Sequence, residues 1–361
     1  MQKIDRQVAF TGTKDVAGPL RFDPALLEAH LARKVPGFAG PLQVRQFKGG
    51  QSNPTYLLET PSRKYVLRRK PPGKLLPSAH AVDREFRVIQ ALAAQGFPVA
   101  EPVLYCADES VTGTSFYVMG FVEGRVFWNP EMPGSNPREH ASIYDAMSAT
   151  LARLHCYDPA GLGLSDFGRG ENYVARQVDR WSKQYRASQT QPIDEMEWLI
   201  KWLPAHIPPA GPVRLVHGDY RLDNMIFEKD SPRVLAVLDW ELSTLGDALA
   251  DFSYHLMAWH MPPDDTGAGT GSLVGFDLKA LGIPSASEYV QMYCARTGFD
   301  PRPHLATYLA YNFFRIAAIL QGIAGRVRDG TATNEHAAAK GQMVRPLAET
   351  AWRFAREAGA R

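Results

Sequence analysis

Short apolar runs bounded by turn-forming residues recur along the N-terminal third of the chain. Their length and their valine, leucine and tyrosine content predict strands. Three of them predict a meander and a fourth leads into a hinge: residues 44–47, 55–59, 65–69 and 115–124. Between the third and the fourth strand, apolar side chains recur at helical spacing over residues 80–94. This part of the chain is predicted to be a small lobe made of strands and one helix.

The rest of the chain is mainly of helical periodicity. Long helices are predicted at residues 140–155, 173–188 and 193–203, and a buried helix at 306–325, where polar residues argue against a membrane span. Short strands are predicted at residues 213–216, 225–227 and 234–238. We therefore expect an α+β fold of two lobes, with residues 1–122 forming the smaller, β-rich lobe and residues 123–361 the larger, mainly helical lobe.

Composition narrows the functional classes. With 361 residues the chain is long enough for two lobes that share a cleft. Its formal net charge of +2 favours neither a nucleic-acid partner nor a membrane surface. Cys106, Cys156 and Cys294 are scattered without metal-binding spacing and are expected to be core thiols. Because the N-terminus also lacks the apolar stretch of a signal peptide, we expect a cytoplasmic protein.

The segment between the predicted strands 213–216 and 225–227 carries the main chemical signal. Residues 217–224 read H-G-D-Y-R-L-D-N, and Asp239 follows the next predicted strand. Asp219 and Asn224 have the spacing of the base and the metal ligand in the kinase catalytic loop. Phosphoryl transfer needs one carboxylate to accept a proton from the attacking hydroxyl. It also needs carboxylate and amide oxygens to bind Mg²⁺ beside the phosphates of ATP.

The motif H-G-D-x-x-x-x-N, followed by L-D-W-E and by Gly246-Asp247 with Asp251, resembles the aminoglycoside phosphotransferase family. The resemblance extends from about Gly49 to the C-terminal helices. It implies a protein-kinase-like bilobal fold and Mg-ATP-dependent transfer of a phosphoryl group to a hydroxyl of a small molecule. By this resemblance Asp219 is the catalytic residue.

The metal ligands implied by the resemblance are Asn224 and Asp239. His217, Asp247 and Asp251 are expected to brace the catalytic loop, the two aspartates through backbone N–H groups. His155 is interpreted as a helix-end residue in preference to a catalyst.

The smaller lobe should supply the nucleotide contacts. The first turn of the meander is predicted to cover the ATP phosphates with backbone N–H groups, and its candidate residues are Gly49, Gly50, Gln51, Ser52 and Asn53. By the same resemblance, the adenine is expected to contact backbone groups near Gly120 and Val122.

The third strand should supply a cation. Tyr-Val-Leu-Arg aligns Arg68 with the lysine of the kinase V-A-I-K pattern, and Lys70 lies on the same predicted strand face as an alternative. A carboxylate on the following helix should pair with this cation. Glu85 lies at the edge of the apolar stripe formed by Val82 and Ile89, so we expect it to point into the cleft and pair with Arg68.

The acceptor is less well determined by the sequence. Basic residues outnumber acidic ones in the predicted acceptor-side helix 176–186 and in the C-terminal region. An anionic acceptor suits this balance better than a polycationic one, although solvated helix faces would look the same. Four aromatic residues there could line a pocket or simply pack in the core: Trp181, Tyr185, Trp198 and Trp202.

Residues 49–56, 69–80 and 313–322 resemble one subfamily, the kinase-like domain fused to some acyl-CoA dehydrogenases and its stand-alone bacterial relatives. That resemblance implies a 4-hydroxyacyl-CoA acceptor and, as a partner, a separate acyl-CoA dehydrogenase. The alternatives are an aminoglycoside, a choline-like compound or an amino alcohol as acceptor. A nucleotide-binding pseudokinase or scaffold is the alternative of another class, and it would be favoured by loss of the base or of the metal ligands.

Overall fold

The structure is a computed structural model that describes residues 5–49, 53–73, 80–264, 271–330 and 337–361. Gly50, Gln51 and Ser52 of the predicted phosphate-binding turn lie outside the described residues. Among the helices described, none is both long and apolar enough to cross a membrane.

The smaller lobe is built on one antiparallel sheet of six strands in the order β1-β2-β3-β4-β6-β5. The strands are β1 (Thr13–Lys14), β2 (Gln43–Phe47), β3 (Thr55–Glu59), β4 (Lys64–Arg69), β5 (Pro102–Cys106) and β6 (Phe116–Gly120). The predicted meander is confirmed. β6 ends four residues before the predicted strand does. Two strands were not predicted: β1 has only two residues, too few for a pattern, and β5 begins at Pro102, which weakens a strand signal.

Three helices accompany this sheet: α1 (Arg6–Phe10), α2 (Pro24–Lys34) and α3 (Val82–Ala94). The two faces of the sheet pack differently, as strand alternation requires. On β4, Tyr65 and Leu67 pack with α2 residues such as Leu27, whereas Val66 packs with the cluster that contains α3. Arg68 shares the parity of Val66 and is thereby directed toward α3.

The larger lobe contains nine described helices and two small sheets. The helices are α4 (Pro137–Cys156), α5 (Tyr173–Ser188), α6 (Asp194–Trp202), α7 (Ala248–Leu256), α8 (Leu278–Leu281), α9 (Ala286–Thr297), α10 (Leu305–Arg328), α11 (Ala337–Gln342) and α12 (Val344–Glu357). The strands are β7 (Val213–Val216), β8 (Met225–Phe227), β9 (Val234–Val237) and β10 (Thr244–Asp247), paired as β7 with β10 and β8 with β9. The buried helix α10 packs against α5, α7 and α12 and forms the centre of this lobe.

Candidate active site

The catalytic loop, residues 217–224, connects β7 to β8, and Asp251 holds its first residues. This buried carboxylate accepts the backbone N–H groups of His217 and Gly218, each at 2.8 Å. His155 places its Nε2 3.1 Å from the same carboxylate. Arg315 on α10 donates to the carbonyl oxygen of Gly218 at 3.0 Å. Asp251 and Arg315 therefore hold the loop through its backbone. His155, in the last turn of α4, contacts Asp251.

A glycine is required in the catalytic loop at one position. Gly218 has φ +82°, and a Cβ atom there would come within 2.8 Å of the carbonyl oxygen of Leu242. The backbone nitrogen of the next residue, Asp219, lies 3.2 Å from Nδ1 of His217, whose Nε2 lies 2.8 Å from the carbonyl oxygen of Leu238. His217 thus links the loop to the segment that carries Asp239.

Both carboxylate oxygens of Asp219 have partners. Oδ1 accepts the hydroxyl of Tyr254 at 2.6 Å and lies 3.1 Å from Nε of Arg221. Oδ2 accepts Nδ2 of Asn224 at 3.1 Å. Burial raises the pKa of Asp219, and the charge of Arg221 and the hydrogen bond from Tyr254 oppose that rise. A carboxylate held in this way is oriented to accept a proton from a hydroxyl group.

The residues predicted to bind Mg²⁺ suit that ion. Nδ2 of Asn224 donates to the carbonyl oxygen of Asp219 at 2.9 Å. This hydrogen bond directs the other amide atom, Oδ1 of Asn224, away from the loop. Asp239 follows β9 with φ 64° and ψ 61°, a strained conformation for a residue other than glycine. A hydrogen bond of 2.8 Å from Leu238 to the carbonyl oxygen of Asn224 holds the two segments together. One carboxylate and one amide oxygen at the same cleft are the hard oxygen donors that Mg²⁺ prefers.

Arg68 lies between the two lobes. Its Nε donates to Glu85 at 3.1 Å, so the predicted ion pair is present. Its Nη2 donates to Asp239 at 2.6 Å and to Glu241 at 3.2 Å. Lys70 follows the end of β4 and its backbone N–H pairs with Ser115. The structure therefore brings Arg68, and not Lys70, to Asp239.

Glu85 is more deeply placed than the sequence predicted. The helical pattern put it at the edge of the apolar stripe of α3, but the buried face of the helix contains Val82, Glu85, Ile89 and Leu92, and Glu85 is only 2% exposed. Burial raises its pKa to about 7, although the charge of Arg68 lowers it. Hydrophobic periodicity misplaces Glu85 because it cannot assign a carboxylate to the buried face of a helix.

A cavity of about 740 Å³ separates the lobes, a size in the usual range for small-molecule sites. Its wall includes six of the predicted site residues: Gly49, Arg68, Gly120, Val122, Asn224 and Asp239. Gly120 donates its backbone N–H to the carbonyl oxygen of Glu101 at 2.8 Å. An adenine contact at Gly120 would consequently have to use the carbonyl group.

Asn53 differs from the other predicted nucleotide contacts. It is buried, its Nδ2 donates to Glu241 at 3.3 Å, and its Oδ1 lies 2.8 Å from Nδ1 of His80. The side chain of Asn53 is thus occupied within the protein. Its contact with Glu241 joins the first turn of the sheet to the segment that carries Asp239.

The aromatic and basic residues of the acceptor-side helices have mainly structural contacts. Trp181 and Tyr185 belong to the buried core of the larger lobe. Lys183 pairs with Asp179 at 2.8 Å on an exposed helix face. Core packing and a solvated surface therefore account for much of the pattern in this helix.

Several residues that contact the site were not predicted. Tyr254 and Arg221 contact Asp219 directly, while Arg6 pairs with Asp223 of the same loop at 2.9 Å. Arg221 and Asp223 lie inside the motif, so the sequence itself places them close to Asp219. Nothing in the local pattern signals Arg6, because it is separated from Asp223 by 217 residues.

The loop, the two candidate metal ligands and the arginine of β4 lie together beside one cleft. The model of the Phosphotransferase enzyme family (APH) matches residues 43–272. The chain belongs to this family. The members of this family are phosphotransferases with the kinase-like fold. The family predicted from the sequence is therefore confirmed.

Solved structures of similar proteins support the fold. A candidate aminoglycoside phosphotransferase from Ralstonia eutropha is 48% identical, covers 93% of this chain and 99% of its own, and has a TM-score of 0.84. Choline kinase from Cryptosporidium parvum, at 10% identity and a TM-score of 0.65, covers 93% of this chain and 96% of its own. A likeness at 10% identity shows the shared fold alone.

Curated relatives are longer proteins. Acyl-CoA dehydrogenase family member 10 of Mus musculus is 46% identical over 325 residues, which are 89% of this chain and 30% of that protein. Acyl-CoA dehydrogenase family member 11 of Gallus gallus is 45% identical over 344 residues, 94% of this chain and 44% of that protein. The chain thus spans less than half the length of either relative.

Proposed function

We propose that this protein transfers the γ-phosphoryl group of Mg-ATP to a hydroxyl group of a small molecule. The observation that carries the proposal is that Arg68, Asn224 and Asp239 line one cleft between the lobes, with Asp219 in contact with Asn224 at 3.1 Å. The presence of the candidate base together with both candidate metal ligands favours catalysis over a pseudokinase or scaffold role.

The proposed reaction is an in-line displacement at the γ-phosphorus. The acceptor oxygen forms the new P–O bond, its proton passes to Asp219, and the bond to the β-phosphate oxygen breaks so that ADP leaves. Asn224 and Asp239 would bind Mg²⁺, which neutralises phosphate charge when present. Arg68, oriented by Glu85 at 3.1 Å, would add a further positive charge beside the phosphates.

As acceptor we propose a 4-hydroxyacyl-CoA. Two relatives that match nearly all of this chain carry acyl-CoA dehydrogenase names, and the matched part covers 30% and 44% of their length. A separate acyl-CoA dehydrogenase acting in the same reaction sequence is accordingly part of the proposal.

The test is ATP consumption with a panel of acceptors, followed by mass spectrometry of the products. We expect a 4-hydroxyacyl-CoA to stimulate ADP formation and to gain one phosphate on the acyl-chain hydroxyl. The free hydroxy acid should be much poorer, because binding of the remote CoA moiety helps to position the hydroxyl. The variant Asp219→Asn is the control for enzyme-catalysed transfer. A phosphorylated aminoglycoside or amino alcohol, formed without any phosphoacyl-CoA, would replace this acceptor with the alternative.

A further inference from the structure

The N-terminal segment, residues 5–14, packs against the cleft between the lobes. β1 extends the sheet at its edge by pairing with β2. Four residues of the segment line the cavity: Gln7, Phe10, Thr11 and Gly12. The ring of Phe10 lies 5.2 Å from that of Trp128, whose Nε1 donates to Thr11 at 3.1 Å. These contacts hold the N-terminal segment against Trp128, which follows the hinge in the chain.

Arg6 extends from this segment into the catalytic loop. Its Nη2 lies 2.9 Å from Oδ2 of Asp223, and each side chain is only 7% exposed. Arg6 also donates to the backbone carbonyl of Trp128. Asp223 immediately precedes Asn224, the candidate metal ligand. This buried ion pair stabilises the loop in its present position. If one partner were removed, the other charge would stay buried without full compensation.

The ion pair continues to the base. Arg221 lies 3.3 Å from Asp223 and 3.1 Å from Asp219. Charges thus alternate along the sequence Arg6, Asp223, Arg221 and Asp219. A displacement of Asp223 would change where Arg221 is held, and with it the orientation of the base.

We propose that Arg6 is a positioning residue of the phosphoryl transfer. It holds Asp223, and through Arg221 it keeps the carboxylate of Asp219 in the geometry needed to accept a proton. The N-terminal segment is on this view a working part of the active site. This inference rests on the proposed phosphotransfer, but it does not depend on which acceptor is used.

The first test compares kcat and the KM for ATP in the wild type, Arg6→Ala and Arg6→Lys. We expect kcat of the alanine variant to fall about 10²-fold, because a small misplacement of catalytic groups has effects of that order, while the KM for ATP changes little. The lysine variant should recover part of kcat, since lysine keeps the charge but lacks the arginine fork. Arg302→Ala is the control, because exposed Arg302 pairs with Asp300 at 2.7 Å and does not line the cavity.

The second test is a double-mutant cycle with Asp223→Asn. If the two residues act as one unit, the double variant Arg6→Ala/Asp223→Asn should lose less kcat than the product of the two single-variant losses predicts. Equal kcat for Arg6→Ala and Arg302→Ala in an active enzyme would overturn the inference, as would full additivity in the cycle.

A third measurement separates this inference from the proposed function. Amide hydrogen exchange in residues 217–224 should be faster in Arg6→Ala than in Arg302→Ala, and Arg6→Lys should reduce the difference. If wild-type protein transfers no phosphate to any acceptor in the panel, the proposed function fails, and the exchange rates still decide whether Arg6 holds residues 217–224 in place. Unchanged exchange in both Arg6 variants would refute that role of Arg6.

Discussion

Tyr254 donates its hydroxyl hydrogen to Oδ1 of Asp219 across 2.6 Å. The tyrosine lies on α7 and is 7% exposed, and burial together with the charge of Asp219 raises its pKa, which keeps the hydroxyl a neutral donor. Arg315 stacks on its ring at 5.1 Å. The hydrogen bond favours the charged form of Asp219, which is the form that can accept a proton.

Replacing Tyr254 by Phe should therefore raise the pKa of Asp219 further, since burial already raises it and one opposing contact is lost. Arg221 also lowers this pKa, whereas Asp239 and Asp223 raise it. The base works only when deprotonated, so activity is lost as the pH falls through its pKa. We expect the acidic limb of the kcat/KM profile to move to higher pH. Tyr157→Phe removes a hydroxyl that follows α4 and bonds Arg153, and it should leave the profile unchanged. An unchanged profile in Tyr254→Phe as well would contradict the expectation.

Replacing Asp219 by Asn should nearly abolish turnover and leave nucleotide binding intact. General-base assistance contributes about 10²–10⁴-fold to a rate, and the substitution removes the proton acceptor with little change in size. Steady-state turnover and ATP titration of the same preparation provide the comparison. Turnover close to the wild-type value would exclude Asp219 as the base.

Replacing Asp239 by Asn should weaken the dependence of nucleotide binding on Mg²⁺. The change removes the negative charge from one of the two proposed metal ligands and also the ion pair with Arg68 at 2.6 Å. Titrations of ATP with and without Mg²⁺, in wild type and variant, measure the effect. If Mg²⁺ strengthens ATP binding equally in both proteins, Asp239 is not a metal ligand.

Arg68→Ala should raise the KM for ATP more than Lys70→Ala does. Arg68 reaches both Glu85 and Asp239, whereas Lys70 lies beyond the end of β4. Arg68→Lys should restore part of the loss, because a lysine retains the charge but makes fewer simultaneous hydrogen bonds. The opposite order of KM values for the two alanine variants would assign the nucleotide cation to Lys70.

The local parts of this protein are determined by its sequence. The bounds of β3, α5, β7 and β8 agree with the predicted ranges, because apolar periodicity and turn residues act over a few neighbouring positions. The same holds for the catalytic loop, where the spacing of Asp219 and Asn224 lies within one strand-loop-strand unit. The pairing of Arg68 with Glu85 was also predicted, since strand parity and helix position limit the choices.

Only the tertiary structure decided how distant side chains complete the site. The sequence did not predict that Glu85 lies fully within the buried face of α3, nor that Tyr254 contacts the base. It gave no sign of the pair between Arg6 and Asp223, whose atoms meet only when the N-terminal segment packs beside the hinge. Periodicity reports which side of its own element a residue occupies, whereas these contacts depend on how separate elements are packed together.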